Sequence, residues 1–392
     1  MLAVILLARG MDISSFAAFG YFHLTISMLA AYASMGLGVA ASRFFAEARH
    51  QVTAHQARLL GTLCVLSIGL AIIACATVLL LPEAWIGAGL GVPRWLLAIG
   101  VLVLVLQVVP SSAIVGLEQY RQASVLAGLT GTSVLIAAFW AVRIQDVRVA
   151  MWGIIASALL LLVGEAMVVV RTLRWWRIAE SLTPQKAQLR RVLDLSGPMF
   201  LVSLMSASAA WVVGRVILSG PGGEHAFALF TIGLQWFALG LVFPGMFSRV
   251  LLPLLVRAAA DLSGREVPRR LVRSATILAT GTAAIMAIAG MVLGPWILSL
   301  YGNEYQVSRW FISAYLVAAV LSAPTNTLGS ALVTRDSQWG WLGLTSIWLF
   351  ILIGSAFAFR AEVVWGAPAT YASAYAALTV GALLMARRKS LV

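Results

Sequence analysis

Residues 171–198, RTLRWWRIAESLTPQKAQLRRVLDLSGP, are the most polar stretch of the chain, and they divide it almost in two. Thr183 followed by Pro184 reads as a helix N-cap and first helical position. Beyond them, Leu189, Val192, Leu193 and Leu195 alternate at helical spacing with Lys186, Arg190, Arg191 and Asp194. That pattern predicts a basic amphipathic helix lying on a membrane surface. The expected organisation is an amino-terminal lobe over residues 1–172, a connector over 173–196 and a carboxy-terminal lobe over 197–392.

Both flanks are overwhelmingly apolar. Charged residues make up 10% of the chain and mean hydropathy is +0.96, whereas a soluble domain carries about 25% charged residues. The chain is therefore a polytopic, all-α membrane protein. Its net charge of +13 does not indicate a nucleic-acid partner, because the cations are strung through short loops rather than gathered on a polar domain. Cys64 and Cys75 share one apolar run and would stand about 16 Å apart in a helix, too far for a disulfide. The histidines His23, His50, His55 and His225 have no metal-ligand spacing. We expect neither a metal nor a cofactor.

Apolar runs long enough to cross about 30 Å of hydrocarbon fall at Ser14–Leu37, Ala57–Leu81, Trp95–Val115, Ala123–Val142, Ala150–Val170, Met199–Leu218, His225–Met246, Ala275–Leu298, Trp310–Leu332, Trp339–Phe359 and Val363–Met385. The loops between them alternate in charge. Most of the 27 lysines and arginines lie in the set that contains Arg43, Arg121, Arg171, Lys186, Arg257, Arg273, Arg335 and Arg388. This set, with the C-terminus, is expected to be cytoplasmic.

Parity then places Ser14 at the outer face, so MLAVILLARG (1–10) would enter from outside and reach only about 12 Å inward as a helix. No basic n-region or small-x-small cleavage site makes it a signal peptide. It reads as the outer half of a first span, with the expectation that the true start lies upstream or that the gene is truncated.

A weak internal repeat accompanies the division: SSFAAF (14–19) and HAFALF (225–230) each open a span that ends in an arginine-rich loop. Repeats around a midplane site are a recurrent transporter design.

LLARGMDISSFAAFGYF (6–22), MGLGVAASRFFAEA (35–48), SGPGGEHAFALF (219–230), FSRVLLPLLVRAA (247–259) and LSLYGNEY (298–305) resemble the polysaccharide, or O-antigen, repeat-unit flippases of the multidrug/oligosaccharidyl-lipid/polysaccharide (MOP) superfamily. The resemblance runs through the whole chain. It implies two pseudo-repeated six-helix lobes in a V-shaped, MATE-like arrangement, the first helix truncated. It also implies alternating access that moves an undecaprenyl-pyrophosphate-linked oligosaccharide across the inner membrane, with H+ or Na+ as coupling ion and a polymerase and glycosyltransferases as partners. A basic residue frequent early in the eighth family helix is Gln235 here.

Flipping breaks no bond, so no catalytic constellation is expected. Cations for a diphosphate are needed, and arginine's forked donors suit it. Arg215 is the one cation inside a predicted span and matches a recurring basic position; it either lines a cavity or snorkels to the nearby interface. Arg43 and Arg249 end comparable spans in the two halves, as phosphate-capturing groups or as ordinary cytoplasmic anchors. Glu165, the acid deep in an apolar run, either carries a coupling proton or makes a structural bond to a neighbouring helix. His23 is a second candidate for ion coupling, with a structural hydrogen bond as the alternative.

Three other functions share some of these features. A drug or cation antiporter of the same superfamily would favour an acidic cavity. The lipid II flippase branch carries two further helices. A membrane-embedded polymerase or ligase requires a large loop or domain bearing acids or histidines, whereas the loop near residues 81–95 holds little beyond Glu83 and Arg94.

Overall fold

The computed structural model describes residues 1–34, 36–47, 54–82, 86, 89–173, 186–247, 269–334 and 337–389, with no side-chain description for 39, 54–57, 186–199, 333 and 334. Among them the chain is helical and without strands. Backbone groups in hydrocarbon must be satisfied within the protein, which leaves a chain this apolar only the helix or the closed barrel.

The helices are α1 (Leu2–Gly10), α2 (Ile13–Ala33), α3 (Leu37–Glu47), α4 (Ala54–Leu80), α5 (Arg94–Gly116), α6 (Tyr120–Ile144), α7 (Val147–Leu173), α8 (Lys186–Leu218), α9 (Gly223–Gly240), α10 (Arg269–Ser299), α11 (Phe311–Thr334), α12 (Gln338–Ala358) and α13 (Gly366–Arg388). A single 3-10 turn, Asn303–Tyr305, follows α10. Among the described residues, ten helices are long and apolar enough to cross a membrane. They correspond to ten of the eleven predicted spans. The exception is His225–Met246: α9 stops at Gly240, Leu241 turns, and residues 242–247 are helical again. Glu224, His225 and Gln235 dilute its hydropathy, and Pro244 lacks the N–H that would continue the helix.

Contacts divide the chain into two compact units, Leu2–Trp211 and Val212–Val392. The amphipathic segment from Lys186 is helical and runs into the following span without a break, as α8. Thr183, Pro184 and the rest of 174–185 lie outside the described residues.

In the first unit, Asp12 caps α2 by accepting the Ser15 amide at 3.1 Å. Phe16, Tyr21, Phe22 and Ile26 of α2 are fully buried. Gly36, at φ +73°, occupies the turn between α2 and α3, a conformation that a side chain would strain. The short α1 packs on α6: Gly10 lies against Val142, and the Gln145 amide donates to the Gly10 carbonyl at 3.0 Å. At one end of the unit, Leu37, Phe44 and Phe45 of α3 join Leu60 and Leu63 of α4, Ile114 of α5 and Val169 of α7 in an apolar core. Cys64 and Cys75 are free thiols.

The second unit packs through glycines and small residues. A side chain at Gly233 of α9 would strike the Tyr315 ring, one at Gly290 of α10 would strike Leu316, and one at Gly381 of α13 would strike Leu344 of α12. Close approach of this kind replaces the hydrophobic drive that lipid cannot supply. Phe230, Phe237, Trp348, Tyr371 and Tyr375 then stack across α9, α12 and α13 with ring centres 5.2–6.2 Å apart. Conversely, Ile285, Ile288 and Val292 of α10 and Phe350 of α12 are exposed, the surface expected to meet lipid.

Candidate functional site

Glu165 of α7 is 6% exposed and faces α5, where the Ser111 hydroxyl donates a hydrogen bond to its carboxylate. Ser111 directly follows Pro110, whose missing N–H interrupts the α5 ladder at this level. Two polar perturbations thus coincide inside the span. The bond ties Glu165 to a neighbouring helix through one of its two carboxylate oxygens.

Arg43 projects from α3 near the same end of the unit. The Ser42 carbonyl would sit 2.3 Å from a side chain at Gly116, so α3 presses on the last turn of α5. Ser111 is five residues earlier, about 7.5 Å along the helix axis. Ser42, the neighbour of Arg43, and Glu165 therefore meet α5 at levels roughly a turn and a half apart. The Arg43 side chain is 59% exposed and donates from Nε to Glu47 Oε1 at 3.2 Å, an i,i+4 ion pair.

His23 is exposed on α2, one turn before exposed Ser27, which gives the otherwise buried span a polar open stripe. Deeper on the same helix, Thr25 accepts the Trp211 indole N–H at 3.2 Å, and Tyr32 bonds with Ser208. Arg215 belongs to the second unit and is half-buried in the last turn of α8. Arg249 lies outside the described residues. The structure therefore brings Arg43 and Glu165 to one end of one unit and assigns Arg215 to the other unit. Among the described residues no cluster of histidine, cysteine and acid could hold a metal.

Sequence reading missed Ser111, Tyr32, Ser208 and Thr25. The available signal was a hydroxyl in an apolar helix, which gains most by bonding across to a neighbour. Gln235 is half-buried, and its carbonyl oxygen is enclosed without a hydrogen-bond partner among the described residues.

Two of the quoted motifs meet in the second unit. His225, from SGPGGEHAFALF, has its Nε2 2.9 Å from the Glu304 carbonyl and its ring stacked on Tyr305 at 6.2 Å, both residues from LSLYGNEY. Eleven residues along from His225, the Trp236 indole donates to the Tyr301 hydroxyl at 3.0 Å. The motif residues thus dock the loop after α10 on α9. Burial pushes the Tyr301 phenol up to about 12, against a smaller opposing effect of the Trp236 bond.

Comparison with solved structures gives the fold. A multidrug resistance MATE family transporter of the MOP superfamily, in an inward-facing conformation, superposes with TM-score 0.74 at 19% identity, covering 100% of this chain and 94% of the other. A MOP superfamily transporter from Pyrococcus furiosus, for which reverse polarity of the binding pocket suggests a different function, superposes with TM-score 0.70 at 17% identity over 99% and 90%. The fold is MATE-like.

Among named relatives, the EPS I polysaccharide export inner membrane protein EpsE of Ralstonia solanacearum is 22% identical over 173 residues, 44% of this chain and 39% of the relative. Its counterpart from Ralstonia nicotianae is 22% identical over 184 residues, 47% and 42%. The matched stretch thus spans about two fifths of each relative's length. Residues 1–259 match the family described as Polysaccharide biosynthesis protein. That match covers well over half of the sequence, and the chain belongs to this polysaccharide biosynthesis family, with a MATE-like fold.

Proposed function

We propose that this protein moves a lipid-linked oligosaccharide repeat unit, carried on undecaprenyl pyrophosphate, across the inner membrane by alternating access, with its C-terminus in the cytoplasm. The observation that carries the reading is the family match over residues 1–259. The EpsE relatives, named for polysaccharide export at the inner membrane, support it.

In this reading Arg43, Arg215 and Arg249 attract the diphosphate. Glu165 or His23 exchanges a coupling H+ or Na+, and a polymerase and glycosyltransferases act on the glycan before or after it crosses. The amino-terminal, connector and carboxy-terminal segments 1–172, 173–196 and 197–392 are the proposed working parts.

The experiment is complementation of a flippase-null cell. The wild-type gene restores glycan export, and replacement of Arg43, Arg215 and Arg249 together by alanine lowers it by about tenfold or more, about 1.4 kcal/mol of lost binding. Unchanged export by the triple variant overturns the basic-cavity mechanism.

A second reading, a drug or cation antiporter, draws on the MATE-like fold. It requires acids for organic cations. The described spans offer Glu165, already bonded to Ser111. Efflux of an organic cation by a strain expressing the protein, without glycan export, would support this reading instead.

A further inference from the structure

Helices α12 and α13 lie antiparallel in a register set by two close contacts. A side chain at Gly340 would meet Met385, and one at Gly381 would meet Leu344. The first turn of α12 therefore stands beside the last turn of α13. Trp339, 70% exposed, is brought level with exposed Arg387 and Arg388.

One turn further into the membrane, Gly343 is exposed with nothing within 4 Å of where a side chain would be. Leu384 and Ile347 are exposed at neighbouring levels of the two helices. The result is a surface with cations at one level, an interfacial indole beside them, and an apolar strip with a gap beneath.

Charge is unbalanced here. Neither α12 nor α13 contains an acid, and Glu362 precedes α13 at its opposite end, about 33 Å of helix away. Arg335 and Asp336, just before α12, lie outside the described residues. Cations at the mouth of an apolar strip match an anionic phospholipid, whose phosphate stays at the interface while its chains enter hydrocarbon. Tryptophan beside them occupies the headgroup boundary that its amphipathic ring favours.

We propose that this end of the α12–α13 pair is a binding site for an anionic phospholipid. Arg387 and Arg388 hold the phosphate, Trp339 stands beside the glycerol-ester layer, and one acyl chain passes Leu384 and Ile347 and fills the gap at Gly343. The site does not depend on what the protein transports.

The test is native mass spectrometry of the full-length protein in detergent, titrated with phosphatidylglycerol or with phosphatidylcholine bearing the same chains. Near-surface cations contribute about fivefold each. Wild type should bind its first phosphatidylglycerol about tenfold or more tighter than phosphatidylcholine. Arg387→Gln with Arg388→Gln should reduce that preference to about twofold or less. Gly343→Leu should weaken both lipids by filling the gap, and Arg148→Gln, in the first turn of α7 in the other unit, should change neither. Equal affinity of wild type for the two lipids, or an unchanged preference in the double arginine variant, overturns the proposal.

Discussion

Ser111 donates its hydroxyl to the Glu165 carboxylate between α5 and α7. A carboxyl inside an apolar span is costly unless a partner stabilises it, and a single hydroxyl satisfies one of its two oxygens. Glutamine at 165 keeps an acceptor for Ser111 and removes the carboxylate proposed to exchange the coupling ion. Glu165→Gln should therefore fold with a melting temperature near wild type and lower ion-driven transport in proteoliposomes by about tenfold or more. Ser111→Ala should instead cost about 1–3 kcal/mol of stability, since it leaves the buried carboxyl unmet.

Tyr301 accepts the Trp236 indole and is fully buried. Tyr301→Phe removes the acceptor while keeping the ring, and should destabilise the second unit by about 1–3 kcal/mol, read as a lower melting temperature in detergent. Its phenol is held up to about 12 in the folded protein against 10.0 in the free side chain. The folded state thus holds its proton over a range where the unfolded chain has lost it. Stability from this group is complete below pH 10 and is lost as pH rises toward 12, a loss absent in Tyr301→Phe.

Asp12 at the start of α2 works in the opposite direction. Its hydrogen bonds with Ser15 hold the carboxyl below its ordinary value of 3.8, outweighing the opposing effect of burial. The stabilisation is present above about pH 4 and disappears as pH falls through the lowered folded value. Asp12→Ala should cost about 1 kcal/mol at neutral pH and flatten the acid limb of a melting-temperature profile.

How far these relationships were legible depends on their range. The ten spans follow from hydropathy and length, because a membrane leaves an apolar segment no alternative to the helix. The interruption at Leu241 has a local cause in Pro244, but only the backbone fixes where the turn falls. Glu165 stood out as an acid among valines and leucines; its partner did not, since Ser111 is 54 positions away and many serines could have reached it. The docking of His225 on Tyr305 likewise joins two motifs, readable in the sequence as a resemblance, through a contact that only the fold supplies. Arg43 read equally as a phosphate ligand or an anchor, and its ion pair with Glu47 one turn later is a local feature that the i,i+4 spacing already permits.

Glycines separate in the same way. Gly116 would place a side chain 2.3 Å from the Ser42 backbone carbonyl, whereas Gly128 faces open space. A backbone oxygen cannot rotate aside as a side chain can. Gly116→Ala should therefore push α3 off α5 and cost about 1–3 kcal/mol, while Gly128→Ala should stay within about 0.5 kcal/mol of wild type. Fluorescence-detected size exclusion after a heating series distinguishes them.

Arg43 offers the sharpest separation of structure from function. An exposed i,i+4 ion pair contributes about 0.3–0.5 kcal/mol, so Arg43→Ala should leave the melting temperature almost unchanged. If the guanidinium receives a diphosphate, its forked donors matter as well as its charge, and Arg43→Lys should recover only part of the lost export. Export should then fall in the order wild type, lysine, alanine, with alanine down by about tenfold. Glu47→Gln frees the arginine from its partner and should leave export equal to or above wild type. A melting temperature that falls in step with export would identify Arg43 as a structural anchor; equal export by all three Arg43 forms would remove it from the transport path.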